Sequence, residues 1–230
     1  MCGRFVLTTP ISGIQSLFLV EEMFNLPPRV NVAPTQDVAA VRLGEDGKRH
    51  LAMLRWGLIP FWAKDKAIGA KAVNARAEGL VEKPMFREAF ARRRCLIAAD
   101  GYYEWVGPKT ARRPLRYEFE GRQPFAFAGL WETWRDRANG DSKIESCTIV
   151  TTTPNTLAAQ AHDRMPVILG PESFDAWLAR GTSQAALQAM LAPYPDAGGP
   201  YGSLRAVMVS PKLNNANNED VALLEPLTAA

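Results

Sequence analysis

The sequence predicts an α+β fold with a mostly antiparallel, barrel-like β core and peripheral helices. The chain holds 17 glycines and 17 prolines among 230 residues, which is above the average for soluble proteins and typical of a loop-rich chain with short elements. Strand-like segments outnumber helix-like ones and do not alternate with them, which argues against a parallel βαβ sheet. The length fits one domain spanning residues 1–230.

Eight segments are predicted as strands, because each is rich in β-branched, aromatic or alternating residues and is bounded by turn-forming residues. In chain order they are residues 38–43, 51–56, 95–99, 102–106, 115–120, 125–131, 147–152 and 204–209. Five segments are predicted as helices from apolar residues at helical spacing or from a proline or serine at the expected start. They are residues 12–24, 84–94, 155–161, 171–180 and 183–191.

The composition excludes several classes of protein. No apolar run approaches the ~18 residues that a membrane helix needs, and the first residues lack the apolar core of a secretory signal. We therefore expect a cytoplasmic protein without a membrane partner, nucleoid-associated if its source is bacterial. The cysteines, Cys2, Cys95 and Cys147, form no closely spaced pair, and the histidines are His50 and His162. Neither a disulfide framework, a metal site nor a cofactor is predicted.

The charge is unevenly distributed along the chain. The net charge is +3 overall, but residues 1–116 carry +8 and residues 117–230 carry −5. A basic half with interleaved aromatic residues is typical of a protein that binds a polyanion. The alternative is that folding mixes the two halves and removes the asymmetry.

Cys2 has the most unusual placement, since cysteine is normally a buried residue type and chain ends usually fray. Removal of Met1 is expected before so small a residue, and Cys2 would then carry a free α-amine and a thiol on adjacent carbons. Such a 1,2-aminothiol reacts with an aldehyde twice, first forming an imine and then a thiazolidine ring. The alternative is an incidentally placed thiol.

Two further segments contain candidate catalytic residues. In the NARAE segment at residues 74–78, Asn74 is suited to orienting a nucleophile and Arg76 to binding a phosphate; the alternative is a helix start capped by Asn74. In the DGYYEW segment at residues 100–105, period-two alternation places Tyr102 and Glu104 on one strand face. A carboxylate beside aromatic rings is a candidate for a raised pKa and acid–base work, whereas the alternative is a solvated strand face.

The HDRMP segment at residues 162–166 is a polar loop between apolar segments, with His162 and Arg164 as candidates. The alternative is a capping or salt-bridged turn. The segment of residues 56–62 (WGLIPFW) contains three aromatic residues and is followed by Lys64 and Lys66, an arrangement suited to unstacked nucleobases. Here Trp56 is predicted to belong to the core and Trp62 to the binding surface.

Taken together, these motifs resemble the SRAP family of SOS response-associated peptidase-like, abasic-site processing proteins. The resemblance covers nearly the whole chain. The matching segments, in family order, are residues 2–5 (CGRF), 31–36 (NVAPTQ), 56–60 (WGLIP), 74–78 (NARAE), 94–97 (RCLI), 99–105 (ADGYYEW), 128–132 (AGLWE) and 162–167 (HDRMPV).

The resemblance implies that the protein recognises abasic sites in single-stranded DNA, including sites near junctions with duplex DNA, and links to them covalently, with lyase activity accompanying this reaction. It implies a monomer with a positively charged cleft. The implied catalytic roles are Cys2 as nucleophile, Asn74 as its orienting residue, Glu104 as acid and base, and His162 beside the leaving 3′ phosphate. The residues implied to line the DNA are Arg4, Asn31, Pro34, Trp62, Arg76 and Arg164.

The chain departs from the family pattern in three places. Residues 27–30 (PPRV) precede Asn31 where an aromatic residue is common, and Ala98 stands where proline is commoner. Ala63 follows Trp62 where some members carry a second tryptophan, which puts base stacking in doubt. None of these changes removes a candidate catalytic residue.

Two other functions stay open at the level of sequence. One is a cysteine peptidase in which Cys2 is an N-terminal nucleophile that removes Met1 itself; it would turn over peptides and give no covalent DNA product. The other is a non-catalytic module that binds single-stranded DNA, which would tolerate Cys2→Ala without loss of activity.

Overall fold

A computed structural model describes residues 2–137 and 140–227 of the chain, and within them thirteen strands and four short α helices. The strands are β1 (Phe5–Leu7), β2 (Arg29–Val32), β3 (Asp37–Leu43), β4 (Arg49–Trp56), β5 (Asn74–Arg76), β6 (Arg94–Ala99), β7 (Gly101–Val106), β8 (Arg113–Glu118), β9 (Phe125–Asp136), β10 (Ser142–Thr152), β11 (Met165–Pro166), β12 (Ile168–Leu169) and β13 (Arg205–Met208). The helices are α1 (Ile11–Phe18), α2 (Arg87–Arg92), α3 (Phe174–Leu178) and α4 (Gln184–Ala189).

Five strands close into a barrel. Strands β4, β3, β6, β9 and β10 pair antiparallel in that order, and a parallel pairing of β10 with β4 completes the ring. Three short strands extend it, since β5 and β11 pair with β10 and β12 pairs with β9. The barrel, mostly antiparallel, confirms the predicted α+β class.

A second sheet, antiparallel throughout, has the order β13-β8-β7-β1-β2. One face packs on the barrel, where the ring of Phe5 lies 5.2 Å from that of Trp56 and 5.9 Å from that of Phe127. The other face is covered by the C-terminal segment, residues 209–227, which follows β13. The two form a smaller apolar cluster of Val6, Val30, Tyr103, Val209, Leu213, Leu223 and Leu224. The buried Trp56 confirms its predicted place in the core.

Strand β1, which carries the N-terminal segment, is held at its far end by Asp100. This carboxylate is buried and accepts hydrogen bonds from the backbone N–H and hydroxyl of Thr8 and of Thr9, at 2.5 to 2.9 Å. Strand β1 also pairs with β7, so that Phe5 lies opposite Tyr102. The N-terminal residues are therefore fixed against the strand that carries Glu104.

The helices are shorter than the sequence predicts. Helix α1 ends at Phe18 instead of residue 24, because Leu19 adopts a left-handed backbone conformation with φ of 54°. Residues 155–161 contain only a 3-10 turn, Ala158–Gln160, and the segment that begins at Pro171 is 3-10 before it becomes α3. Strands β1, β2, β5, β11 and β12 were not among the predicted strands, since segments of two to four residues carry too little pattern.

Among the described residues, no helix is both long and apolar enough to cross a membrane.

Candidate active site around Cys2

Cys2 lies just before β1 and is completely buried. Its carbonyl oxygen accepts a hydrogen bond of 2.8 Å from Nδ2 of Asn74, and its thiol lies 3.9 Å from the carbonyl oxygen of Arg4. Asn74 opens β5 and is paired with Ile149 of the barrel strand β10. The amide of Asn74 therefore ties the residues before β1, in the second sheet, to the barrel. Because Asn74 lies in a strand, the alternative that it caps a helix is wrong.

Glu104 lies on the face of β7 that carries Tyr102, as the alternation predicts, and only 6% of it is exposed. The alternative of a solvated strand face is therefore wrong. Burial raises the pKa of the Glu104 carboxyl, and the charge of nearby His162 opposes that rise. Burial also raises the pKa of the Cys2 thiol, and the charge of Glu104 raises it further. The Glu104 carboxyl thus lies within electrostatic reach of both the Cys2 thiol and the His162 imidazole.

The segment that carries His162 is fixed by Arg164, whose guanidinium is nearly buried. Its Nη1 and Nη2 donate to the two carboxylate oxygens of Glu78 at 2.6 and 2.9 Å, and Nη2 also donates to the carbonyl oxygen of Thr151 at 2.6 Å. These bonds join the segment after β5 to the loop of His162. The salt-bridged turn considered for this segment is confirmed, and it fixes Arg164, two residues after His162.

His162 itself is about a third exposed, with 32% of its side chain accessible. Its Nδ1 accepts a hydrogen bond of 3.1 Å from the backbone N–H of Arg164 and lies 2.6 Å from a carboxylate oxygen of Asp163. Both contacts use the same ring nitrogen, Nδ1.

Arg4 and Asn31 form one hydrogen-bonded unit. Nη1 of Arg4 donates to Oδ1 of Asn31 at 2.7 Å and to the carbonyl oxygen of Leu213 at 3.3 Å. The amide of Asn31 is buried and donates to carbonyl oxygens of the C-terminal segment, at residues 213, 215 and 218. Asn31 therefore acts within the protein by holding Arg4 and the C-terminal segment, and a direct DNA contact by Asn31 stays a prediction.

The remaining residues predicted to line DNA lie at the surface. Trp62 is 49% exposed, next to Phe61 at 57%. Arg76 is exposed at the end of β5, two residues from Asn74, and Pro34 is half-buried in the turn between β2 and β3. Their contacts with DNA stay predictions.

An open cleft of about 980 Å³ adjoins Gly3 and Arg4. Its other wall is the turn between β7 and β8, which brings exposed cationic side chains from Lys109, Arg112 and Arg113. The guanidinium of Arg4 lies 5.8 Å from the ring centre of Trp105 at the base of this cleft. Three cations within the seven residues 107–113 are a sequence signal for this wall of the cleft, and none of the motifs described above includes them.

Cys95 and Cys147 are buried in barrel strands β6 and β10, as cysteines of apolar strands are expected to be. Burial raises the pKa of both thiols, and because both are internal residues neither carries the free α-amine that a 1,2-aminothiol needs. Within the part of the chain that the structure describes, no three histidine, cysteine or acidic side chains are grouped to hold a metal ion.

Comparison with known proteins identifies the family. The model of the family named SOS response associated peptidase (SRAP) matches residues 1–216. The chain belongs to the SRAP family. The SRAP fold is also that of a crystal structure of a protein from Bacteroides thetaiotaomicron, which superposes with a TM-score of 0.87 at 22% identity and covers 99% of this chain and 100% of that one.

Two curated SRAP relatives have informative names. Abasic site processing protein YoqW of Bacillus subtilis is 41% identical over 231 residues, which is 98% of this chain and 99% of that protein. Abasic site processing protein HMCES of Xenopus tropicalis is 30% identical over 156 residues, which is 58% of this chain and 46% of that protein.

Proposed function

We propose that this SRAP protein processes abasic sites in single-stranded DNA by linking Cys2 to them as a thiazolidine. The observation that carries the proposal is the buried position of Cys2, held by Asn74 beside Glu104. Chain ends usually fray unless they are tied down, and here Cys2 is fixed between two sheets. The names of the relatives YoqW and HMCES support the processing of abasic sites.

The reaction requires Met1 to be removed, so that Cys2 carries a free amine. The abasic deoxyribose opens from its ring form to an aldehyde at C1′ and a hydroxyl at C4′. The amine adds to the aldehyde carbon, and loss of one water gives the imine. The thiol sulfur then adds to the imine carbon while its proton moves to the nitrogen, which closes the five-membered ring. The net change is the loss of one water.

Glu104 is suited to the proton transfers in this sequence. Because burial raises the pKa of its carboxyl, Glu104 keeps its proton to a higher pH than an exposed glutamate does and can donate it to the ring oxygen of the sugar. The resulting carboxylate can then accept a proton from the amine. Holding the amine, the thiol and the aldehyde together supplies the effective concentration that such a condensation needs.

The DNA strand is proposed to follow the basic cleft past Arg4 and the exposed Arg76. Phosphate contacts from these cations give affinity without base preference, and the exposed Trp62 offers a stacking surface for an unpaired base. His162 is proposed to lie beside the 3′ phosphate of the abasic site. If a base removes a proton from C2′ of the imine before the thiol adds, the bond between C3′ and the phosphate oxygen breaks and the phosphate leaves with the bonding electrons. The strand is then cut, and this is the accompanying lyase reaction.

The test is to incubate the protein with single-stranded DNA that carries one abasic site and to measure the adduct by intact mass and by its survival in heat and denaturant. The expected product is the sum of the two masses less one water, attached at Cys2. Cys2→Ala with Met1 removed keeps the amine and should give only an imine that borohydride traps. Protein that retains Met1 should form no thiazolidine.

An adduct at Cys95 or Cys147, or a stable adduct from protein with a blocked amine, would overturn the mechanism. Turnover of peptides without any DNA adduct would favour the peptidase alternative. DNA binding that is unchanged by Cys2→Ala, with no adduct from the wild-type protein, would favour the non-catalytic module.

A further inference from the structure

Two tyrosines beneath the candidate site, Tyr102 and Tyr117, have hydroxyl groups that none of the described residues binds. Tyr102 of β7 lies directly opposite Tyr117 of β8 in the strand register. Their rings are stacked, with centres 4.8 Å apart and planes 9° from parallel. Both side chains are fully buried, and neither hydroxyl has a hydrogen-bond partner among the described residues. A buried hydroxyl without a partner costs free energy on folding, so two in one place call for an explanation.

The two tyrosines share a sheet face with Glu104. Tyr102 and Glu104 lie on the same face of β7, and Tyr117 of β8 lies opposite Tyr102 on that face. Burial, more than the negative charge of Glu104, raises the pKa of both phenols, and together the two effects bring that of Tyr117 to about 12. The charge of Cys2 also acts on Tyr102. Each phenol therefore keeps its proton at neutral pH and can both donate and accept a hydrogen bond beside Cys2 and Glu104.

We propose that Tyr102 and Tyr117 form a hydroxyl-binding subsite that receives the C4′ hydroxyl of the ring-opened abasic sugar. This inference rests on the proposed function of Cys2 and names what that site recognises beyond the aldehyde. A hydroxyl is the complement of a phenol, since each is both a donor and an acceptor. Binding the hydroxyl favours the open form of the sugar, and the open form is the one that carries the aldehyde.

The neighbouring Tyr103 supplies a matched control. It lies on the opposite face of β7, in the smaller apolar cluster, and its hydroxyl donates a hydrogen bond of 2.8 Å to the carbonyl oxygen of Val30. Tyr103 is as deeply buried as Tyr102, but its hydroxyl is fully used by the fold. Replacing it by phenylalanine removes a structural hydrogen bond without touching the candidate site.

The experiment compares the rate of adduct formation for the wild-type protein, Tyr102→Phe, Tyr117→Phe and Tyr103→Phe with two DNA probes. One probe carries a natural abasic site, and the other carries a plain alkyl aldehyde at the same position without a neighbouring hydroxyl. Tyr102→Phe and Tyr117→Phe should each slow the reaction of the abasic probe about fivefold to tenfold, the effect of one hydrogen bond. They should leave the reaction of the alkyl aldehyde unchanged.

Thermal unfolding gives a second readout. Because Tyr102→Phe and Tyr117→Phe remove hydroxyls that lack partners, the midpoint should stay the same or rise. Tyr103→Phe should lower the midpoint and leave both reaction rates unchanged.

Three results would overturn the subsite. They are equal slowing of both probes, no slowing of either probe, and a fall in the unfolding midpoint like that of Tyr103→Phe. Failure of the proposed function itself would look different, since the wild-type protein would then form no adduct with either probe.

Discussion

Arg164 is expected to be the largest single polar contribution to the stability of the candidate site, and replacing it by methionine tests this. Arg164→Met keeps the length of the apolar stem but removes the bonds to Glu78 and to the carbonyl oxygen of Thr151. The matched change is Glu78→Ala, which removes the ion pair and leaves the bond to Thr151 intact. Comparing the two variants separates the exposed part of this arrangement from the buried part.

The structure sets different magnitudes for the two variants. The side chain of Glu78 is 57% exposed, so its ion pair with Arg164 is screened by water and contributes about 0.5–1 kcal/mol. The bond from Arg164 to Thr151 is buried, and a buried hydrogen bond from a charged group contributes about 1.5–3 kcal/mol. We therefore expect Glu78→Ala to cost about 0.5–1 kcal/mol of unfolding free energy and Arg164→Met about 2–4 kcal/mol.

The assay is urea unfolding of both single variants and of the double variant at neutral pH. The hydrogen bond from Arg164 lowers the pKa of Glu78. Its stabilisation is therefore present above the pKa of an unfolded glutamate, about 4.3, and is lost as the pH falls through the lower folded value. Arg164→Met should remove this part of the acid sensitivity. The reasoning is refuted if Arg164→Met costs no more than Glu78→Ala, since the buried bond would then contribute nothing.

Two further predictions concern the reaction. Glu104→Gln keeps the shape of the side chain and removes its titration, so adduct formation should slow by roughly 10²–10⁴-fold. The rate of the wild-type protein should fall as the pH rises through the raised pKa of Glu104. A Glu104→Gln variant that keeps this pH profile would exclude Glu104 as the acid. Arg76→Ala should weaken binding to single-stranded DNA equally for all base sequences. It should also reduce the slope of log affinity against log salt concentration by about 0.7, the value for one phosphate contact on a single strand. A loss of affinity that depends on base sequence would contradict a phosphate contact by the exposed Arg76.

The sequence predicted the parts of the site that depend on local pattern. Period-two alternation placed Tyr102 and Glu104 on one face of β7 and Tyr103 on the other, and the two apolar clusters confirm this. The apolar surroundings of Cys95 and Cys147 predicted their burial. Local pattern suffices here because successive strand side chains point to opposite faces whatever the strand pairs with.

Other features depend on contacts between residues far apart in the chain. Strand β5 has only three residues and exists because β10 pairs with it, so its sequence alone equally allowed a helix start at Asn74. Arg164 is separated from Glu78 by 86 residues, and Asn31 lies more than 180 residues from the carbonyl groups that its amide binds. Nothing in the neighbourhood of either residue indicates that its polar group is used within the protein.

The sequence by itself determined the α+β class, the motifs of the SRAP family and the identity of Cys2, Asn74, Glu104 and His162 as candidates. These follow from residue type and local periodicity, which need no knowledge of distant partners. Only the tertiary structure decided that Asn74 holds the backbone of Cys2 and that no described residue binds the hydroxyls of Tyr102 and Tyr117. The physical reason is that a polar group forms a hydrogen bond only if the folded chain brings a partner within about 3 Å of it. Closure of the barrel sets the distance between such groups when they lie far apart in the sequence.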